Sequence, residues 1–230
     1  MILFCLPYAG GSEVMYYSWK KYLDPYIELQ PIELKGRGKR FNEDFYTDFN
    51  EAVDDIFQSI KDKIICSEYA IFGHSLGSLL AYELYYKICD QNLTKPRKIF
   101  FSGNIAPSAE KEQKNFYLLP DDEFLKEIIN LGGTPEELLE SKELLQLVLP
   151  ILRSDIRINE SYIYKGREDK IECDVAIFSG RKEDVTLDEL LMWKNHCNRG
   201  FKMYTLEGDH FFINNNVKEI TSIIGSLLKA

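Results

Sequence analysis

The residues of this chain that are best suited to chemistry are a serine between two glycines and a histidine near the carboxyl end. Ser75 lies in Gly73-His74-Ser75-Leu76-Gly77, after an apolar run rich in strand formers and before apolar residues at helical spacing. A turn from strand to helix brings backbones too close for side chains at Gly73 and Gly77. The pattern favours a nucleophilic Ser75 at the apex over a coincidental strand–helix turn.

A serine hydroxyl needs a base within hydrogen-bond reach and a carboxylate that orients this base. His210 follows the last predicted strand and is our candidate base. His196 falls late in a predicted helix, where we expect a surface or cap residue, and His74 should point away from the nucleophile. The acid should lie in the loop after the predicted strand 174–179, so Glu183 and Asp184, which both follow Gly180, remain candidates.

Two backbone amides are the candidate donors to an oxyanion. The first predicted strand runs into a loop with adjacent glycines, Gly10 and Gly11, and such a loop can aim backbone N–H groups at a ligand. By position we assign one donor to Ala9. The second is Leu76, the residue after the nucleophile.

Strands and helices alternate in a pattern that predicts parallel strands with helices on both faces. The order Ser, acid, His along the chain matches the α/β-hydrolase plan, which is the predicted fold class. We expect one domain over 1–230, with a helical lid inserted at 106–170, where no strand is predicted and three helices begin near 121, 134 and 152. The predicted strands are 2–6, 27–34, the apolar run 69–72 before the serine turn, 98–102, 174–179 and 201–206, and the other predicted helices are 15–23, 48–63, 78–89, 187–196 and 217–228.

Composition and charge exclude several function classes. The net charge of −9 argues against general nucleic-acid binding. No apolar run is long enough to span a membrane, and we expect a cytoplasmic protein. The five cysteines are widely spaced, which favours reduced, mostly buried thiols over disulfides. With three histidines and no metal-ligand spacing, we expect neither a metal nor a cofactor.

A short basic loop stands out in this acidic chain. Lys35, Arg37, Lys39 and Arg40 are interleaved with glycines at 36 and 38. This loop is either a solvated turn or a patch that meets a phosphate or an acidic partner.

The whole sequence resembles the stand-alone type II thioesterases of nonribosomal peptide and polyketide assembly lines. The serine turn alone is generic, whereas its combination with the Pro-Tyr-Ala-Gly-Gly loop and the segments of the predicted lid is specific. The resemblance is carried by residues 6–11, 33–40, 72–77, 119–125, 131–135, 149–155 and 207–212.

This resemblance implies hydrolysis of acyl or aminoacyl thioesters on the phosphopantetheine arm of a carrier protein, which clears stalled or misprimed carriers. Ser75 and His210 match the family triad. The family acid is typically an aspartate at the position of Glu183, so residue type favours Asp184 and register favours Glu183. Carrier proteins tend to be acidic, so the basic loop (Lys35, Arg37, Lys39 and Arg40) is a candidate docking site.

Two other functions fit the same residues. A carboxylesterase acting on free small esters would use the same triad, and a binding protein could keep an idle triad on a hydrolase fold. The complete serine–acid–histidine order argues against the idle triad. Nothing in the sequence demands more than a monomer.

Overall fold

A wholly parallel sheet of six strands lies at the centre of the protein, in the order β2-β1-β3-β4-β5-β6. The computed structural model describes residues 1–110, 114–132 and 141–229. Every residue of β1, β3 and β4 is buried, as expected for parallel strands covered on both faces. The strands are β1 (Ile2–Leu6), β2 (Glu28–Pro31), β3 (Tyr69–His74), β4 (Lys98–Ser102), β5 (Asp174–Gly180) and β6 (Phe201–Leu206). The predicted α/β architecture is confirmed.

Helices cover both faces of this sheet. Side chains alternate along β3, so Tyr69 and Ile71 pack toward α1 and α2, whereas Ala70 and Phe72 pack toward α7 and the first 3₁₀ helix. The α-helices are α1 (Phe49–Cys66), α2 (Leu76–Asp90), α3 (Asp121–Leu131), α4 (Lys142–Glu160), α5 (Leu187–Leu191), α6 (Phe212–Asn215) and α7 (Val217–Lys229). The 3₁₀ helices are Glu13–Lys21, Gly38–Arg40, Phe116–Leu118 and Met192–His196.

Two early elements differ from their predicted form. The strand expected over 27–34 is only Glu28–Pro31, and it pairs on one side with β1, as Pro31 had indicated for an edge strand. The helix expected over 15–23 is the 3₁₀ helix Glu13–Lys21, which still buries Tyr16 and Trp19 on one face.

Between β4 and β5 the described residues form α3, α4 and the 3₁₀ helix Phe116–Leu118, and within 106–110, 114–132 and 141–170 no strand forms. The prediction that a separate helix begins near 152 is wrong, because α4 runs from Lys142 to Glu160 and passes through Pro150 without a break. Leu149, Leu152 and Ile156 pack on the α3 residue Phe124, and this packing outweighs the lost backbone hydrogen bond. The helix start predicted at 134 lies outside the described residues.

The cysteines are less buried than predicted. All five are free thiols, but only Cys5 and Cys173 are buried, while Cys66 is exposed. In the described part of the chain, no helix is both long and apolar enough to cross a membrane. The same residues contain no cluster of three histidine, cysteine or acidic side chains that would hold a metal ion.

Candidate active site

Ser75 occupies a strained turn between β3 and α2. Its backbone has φ +54° and ψ −116°, a region that residues other than glycine rarely adopt. A Cβ on Gly73 would lie 2.0 Å from the Gly77 carbonyl oxygen, and one on Gly77 would lie 2.3 Å from the Leu6 carbonyl oxygen. Both glycines are therefore required by close backbone approach, which lifts Ser75 to the carboxyl edge of the sheet.

Hydrogen bonds to β4 hold this turn in place. The Ser75 N–H donates to the Ser102 carbonyl at 2.8 Å. The buried Ser78 hydroxyl lies 2.8 Å from the Gly73 carbonyl oxygen and accepts the Ser102 N–H at 2.9 Å. The strained residue is thus supported on both sides by the neighbouring strand.

Glu183 and His210 form a hydrogen-bonded pair at the same edge. His210 Nδ1 lies 2.7 Å from Glu183 Oε1. The other carboxylate oxygen accepts the Gly180 N–H at 2.6 Å and the Ser179 hydroxyl at 3.0 Å. The Glu183 side chain is 4% exposed and the His210 side chain 35%, so the carboxylate is fixed while the outer face of the imidazole stays open.

The two candidate acids are therefore placed differently. Asp184 is exposed, and among the described residues it makes no side-chain hydrogen bond or ion pair. The geometry brings Glu183 and not Asp184 to His210.

His74 links the serine turn to the backbone of His210. Its Nε2 lies 2.9 Å from the His210 carbonyl oxygen, and because a carbonyl only accepts, Nε2 carries the proton. Its Nδ1 then accepts the Ser102 hydroxyl at 2.8 Å. Burial lowers the pKa of His74 well below 6.5, and the nearby His210 lowers this pKa further, so the ring is neutral. The sequence predicted only that His74 points away from the nucleophile.

The nucleophile and base of the candidate site have no hydrogen-bond partner for their reactive atoms among the residues that the structure describes. In the described part of the chain, the Ser75 hydroxyl and His210 Nε2 make no hydrogen bond, either to each other or to another group. The N–H groups of Ala9 and Leu76, the predicted oxyanion donors, also have no acceptor among those residues. Leu76 is the first residue of α2, where a free amide and the helix dipole favour negative charge.

The predicted basic docking loop is largely neutralised by acidic neighbours. Arg37 is only 3% exposed, so its side chain is absent from any docking surface, contrary to expectation. Lys39 is the most exposed member, at 62%. The ion pairs are Lys35–Glu51 (2.8 Å), Arg37–Asp155 (2.6 Å), Lys39–Glu13 (2.6 Å), Arg40–Glu43 (2.6 Å) and Arg40–Asp55 (2.7 Å).

His196 is not the surface residue that we expected. It is 6% exposed, and its ring nitrogens bond to the Tyr82 hydroxyl at 3.1 Å and the Ser108 hydroxyl at 2.7 Å. It lies in a cluster of aromatic rings beneath the insert, so it fills the core as a satisfied polar group.

A cavity of about 600 Å³ opens between the helical insert and α2. Leu79 of α2, one turn after Ser75, forms part of its wall. Ile156 of α4 also lines it and belongs to a cluster that contacts Ala9. The other apolar lining residues are Ile105, Ala106, Pro107, Ala109, Phe116, Leu131 and Ile163. Leu79 thus links this cavity to the helix that begins after Ser75, and Ile156 links it to the cluster against which Ala9 packs.

Comparison with known proteins accounts for this arrangement. The model of the thioesterase domain family matches residues 1–228. The chain belongs to the thioesterase family. Linear gramicidin dehydrogenase LgrE of Brevibacillus parabrevis is 36% identical, and the match covers 100% of this chain and 88% of LgrE.

Two solved structures resemble this thioesterase closely. ClbQ from the colibactin NRPS/PKS pathway is 34% identical with a TM-score of 0.95, over 99% of this chain and 96% of ClbQ. The type II thioesterase BorB from the borrelidin biosynthetic cluster is 30% identical with a TM-score of 0.89, over 99% of this chain and 92% of BorB. The fold is that of the α/β-hydrolases, and this thioesterase is an enzyme of the serine hydrolase type.

Proposed function

We propose that this thioesterase hydrolyses acyl or aminoacyl thioesters carried on the phosphopantetheine arm of a carrier protein. The observation that carries the proposal is the Glu183–His210 pair beside the strained Ser75, in a chain of the thioesterase family. ClbQ is named for the colibactin NRPS/PKS pathway and BorB as a type II thioesterase of the borrelidin biosynthetic cluster, which supports a substrate of this class.

In the proposed mechanism, His210 Nε2 removes the Ser75 proton as Oγ attacks the thioester carbonyl. Glu183 fixes the imidazole through Nδ1 and stabilises its protonated form. The amides of Ala9 and Leu76 hold the oxyanion of the tetrahedral intermediate. This intermediate collapses as His210 protonates the leaving thiolate, and the free phosphopantetheine thiol departs. His210 then activates a water that cleaves the acyl-serine ester and regenerates Ser75.

The cavity beside the serine turn is the proposed site of the acyl chain. Its walls are mainly apolar, and the insert helix α4 contributes part of them. We therefore assign the 106–170 segment of this single-domain enzyme the role of a lid over the acyl group. The name of LgrE denotes a dehydrogenase. A strained serine with backbone N–H donors beside it suits acyl transfer, so the proposed reaction of this chain is hydrolysis and not oxidation.

Intact mass spectrometry of acylated carrier proteins tests the proposal. A panel of carriers with acetyl, longer acyl and aminoacyl groups is incubated with the enzyme and with a Ser75→Ala variant. We expect the enzyme to return at least one carrier to its free thiol form, and the variant to leave all of them loaded. Rates on an aryl ester are measured in parallel.

Two outcomes would replace the proposal with one of its rivals. Rapid hydrolysis of the aryl ester with every carrier left intact would identify a carboxylesterase. Failure of a fluorophosphonate probe to label Ser75 in the folded protein would indicate an idle triad and a binding role. Loss of labelling in Ser75→Ala controls for reaction at other residues.

A further inference from the structure

The buried carboxylate of Asp155 connects the insert to the loop that carries Ala9. Asp155 lies on α4 and its side chain is 1% exposed. Its Oδ2 accepts the Gly10 N–H at 2.7 Å and Arg37 Nη1 at 2.6 Å, and its Oδ1 accepts Arg37 Nη2 at 2.6 Å. Arg37 Nη1 also donates to the Gly11 carbonyl at 3.0 Å. Two consecutive glycines of the loop are thus held by one ion pair.

Gly10 is suited to this contact by its backbone conformation. Its φ is +79°, and a Cβ at this position would lie 2.3 Å from the Leu152 side chain of α4. Helix α4 therefore approaches the loop closely enough to hold it at two points, through Asp155 and through Leu152. Gly10 directly follows Ala9, so fixing its peptide restricts the orientation of the Ala9 amide.

We propose that Asp155, held by Arg37, is a positioning residue for the oxyanion site. It occupies the Gly10 N–H and thereby leaves the Ala9 N–H as the donor that faces the reacting carbonyl. Asp155 touches neither substrate nor the reacting atoms, and it acts only through the loop. The inference rests on the proposed function in taking Ala9 as an oxyanion donor.

The arrangement has features that stability alone does not require. An isolated buried ion pair is often no more stabilising than apolar residues of the same size. Here one carboxylate oxygen also binds a backbone amide next to the candidate donor. An oxyanion donor contributes to the rate only if it is fixed before the charge develops.

Two double variants separate positioning from folding. Arg37→Met with Asp155→Leu removes both charges and the acceptor for Gly10, while it keeps a similar volume. Arg37→Met with Asp155→Asn removes both charges but keeps an amide oxygen for the Gly10 N–H. Neither leaves an unpaired buried charge, so both should fold. The two proteins differ only at position 155, where asparagine supplies an amide with an acceptor oxygen and leucine supplies no polar group.

The rate constants are measured on a small aryl thioester. We expect kcat of the leucine double variant to fall about 10- to 100-fold with KM changed less than about 3-fold, since one misplaced oxyanion donor costs less than its removal. The asparagine double variant should recover most of that loss. Equal kcat in the two double variants, whether low or unchanged, overturns the proposal and leaves the ion pair a structural role.

A second readout is independent of catalysis. Hydrogen exchange of the Gly10 amide is followed by NMR in each protein. Protection should be lost in the leucine variant and retained in the asparagine variant. Loss of protection without a fall in kcat also overturns the proposal.

A matched control is an exposed ion pair in another part of the molecule. Lys87 of α2 and Asp54 of α1 pair at 2.6 Å, and their side chains are 31% and 56% exposed. Lys87→Met with Asp54→Leu should leave kcat within about 2-fold of the parent, as for a surface change away from the site. If the parent enzyme is inactive on carriers but hydrolyses the aryl thioester, the carrier function fails and this test still stands.

Discussion

The Glu183–His210 pair and the Arg37–Asp155 pair flank the strand that precedes Ser75. The first lies in the loops after β5 and β6, and the second holds the loop after β1. Their surroundings suit them to different roles. Glu183 is fixed by three hydrogen bonds, but its partner His210 is 35% exposed and its Nε2 makes no hydrogen bond to any described residue. Arg37 and Asp155 are 3% and 1% exposed, and Asp155 has both oxygens engaged. The first pair can move a proton, whereas the second can only hold a position.

The two pairs differ in their capacity to exchange a proton. Burial and the ion pair act in opposite directions on Arg37, and the attraction of Asp155 prevails, so the pKa of this guanidinium is raised. A guanidinium of this kind stays protonated at any physiological pH. An imidazole, by contrast, can accept and return a proton, and His210 Nε2 makes no hydrogen bond to any residue that the structure describes.

The largest expected effect comes from breaking the Glu183–His210 pair, which we call the working pair. Glu183→Gln should lower kcat about 10²- to 10⁴-fold, because an amide no longer stabilises the protonated imidazole or fixes its tautomer. Steady-state kinetics on an aryl thioester measures the loss. Asp184→Asn is the matched control and should change kcat less than about 2-fold, as an exposed substitution does. A larger loss in Asp184→Asn than in Glu183→Gln would reverse the assignment of the acid.

The second largest effect comes from removing one member of the Arg37–Asp155 pair, which we call the fixed pair. Arg37→Met leaves the Asp155 carboxylate buried without its cation, and this should lower the free energy of unfolding by about 3–5 kcal/mol. Urea unfolding followed by circular dichroism measures it. Arg37→Met with Asp155→Leu should lie much closer to the parent.

The control for this stability prediction is the more exposed pair Arg40–Asp55. Arg40→Met should cost less than Arg37→Met, because water screens the remaining carboxylate, whose side chain is 20% exposed. Equal losses from Arg37→Met and from the double variant would show that burial of the carboxylate charge is not what makes the single change costly.

The sequence predicted the working pair better than the fixed pair, for a physical reason. Strand order and the serine turn place the loops after β5 and β6 at one edge, and this can be deduced from local patterns. The choice between Glu183 and Asp184 depends on a turn in which the Glu183 N–H returns to the Gly180 carbonyl at 3.2 Å. This turn directs the Glu183 side chain inward. The presence of two adjacent acids in the sequence does not predict such a turn.

The sequence did not predict the burial of Arg37 and His196, because their partners are distant in sequence. Asp155 is 118 residues from Arg37, and Tyr82 is 114 residues from His196. A basic loop or a histidine late in a helix has the composition of a surface in either case. Burial is decided by tertiary contacts that charge patterns do not encode. Pro150 is similar, since local propensity favours a break and packing on α3 overrides it.

A smaller effect concerns the two buried histidines, His74 and His196. Burial lowers the pKa of His74 and of His196, and Lys170 lowers that of His196 further. The unfolded chain binds these protons near pH 6.5 and the folded chain binds them only at lower pH. Stability is therefore complete above pH 6.5 and falls below it, by up to about 1.4 kcal/mol per pH unit for each histidine.

Urea unfolding of the parent and of His196→Gln between pH 7.5 and 5.5 measures this slope. The variant should lose stability less steeply with falling pH, by no more than the share of one histidine. The comparison of the two proteins cancels the carboxylates that titrate in both. Parallel curves would mean that His196 protonates equally in the folded and unfolded chains.

The smallest expected effect concerns the one strongly exposed cation of the basic loop. Lys39 is 62% exposed and already paired with Glu13, so a carrier protein would gain little from it. Lys39→Glu should raise KM for an acylated carrier less than about 3-fold and leave the aryl thioester unaffected, and added salt should erase the difference. Kinetics on both substrates at low and high salt checks this. A matching loss on the aryl thioester would show that the change disturbs the enzyme itself, while a large loss confined to the carrier would restore the loop as a main docking surface.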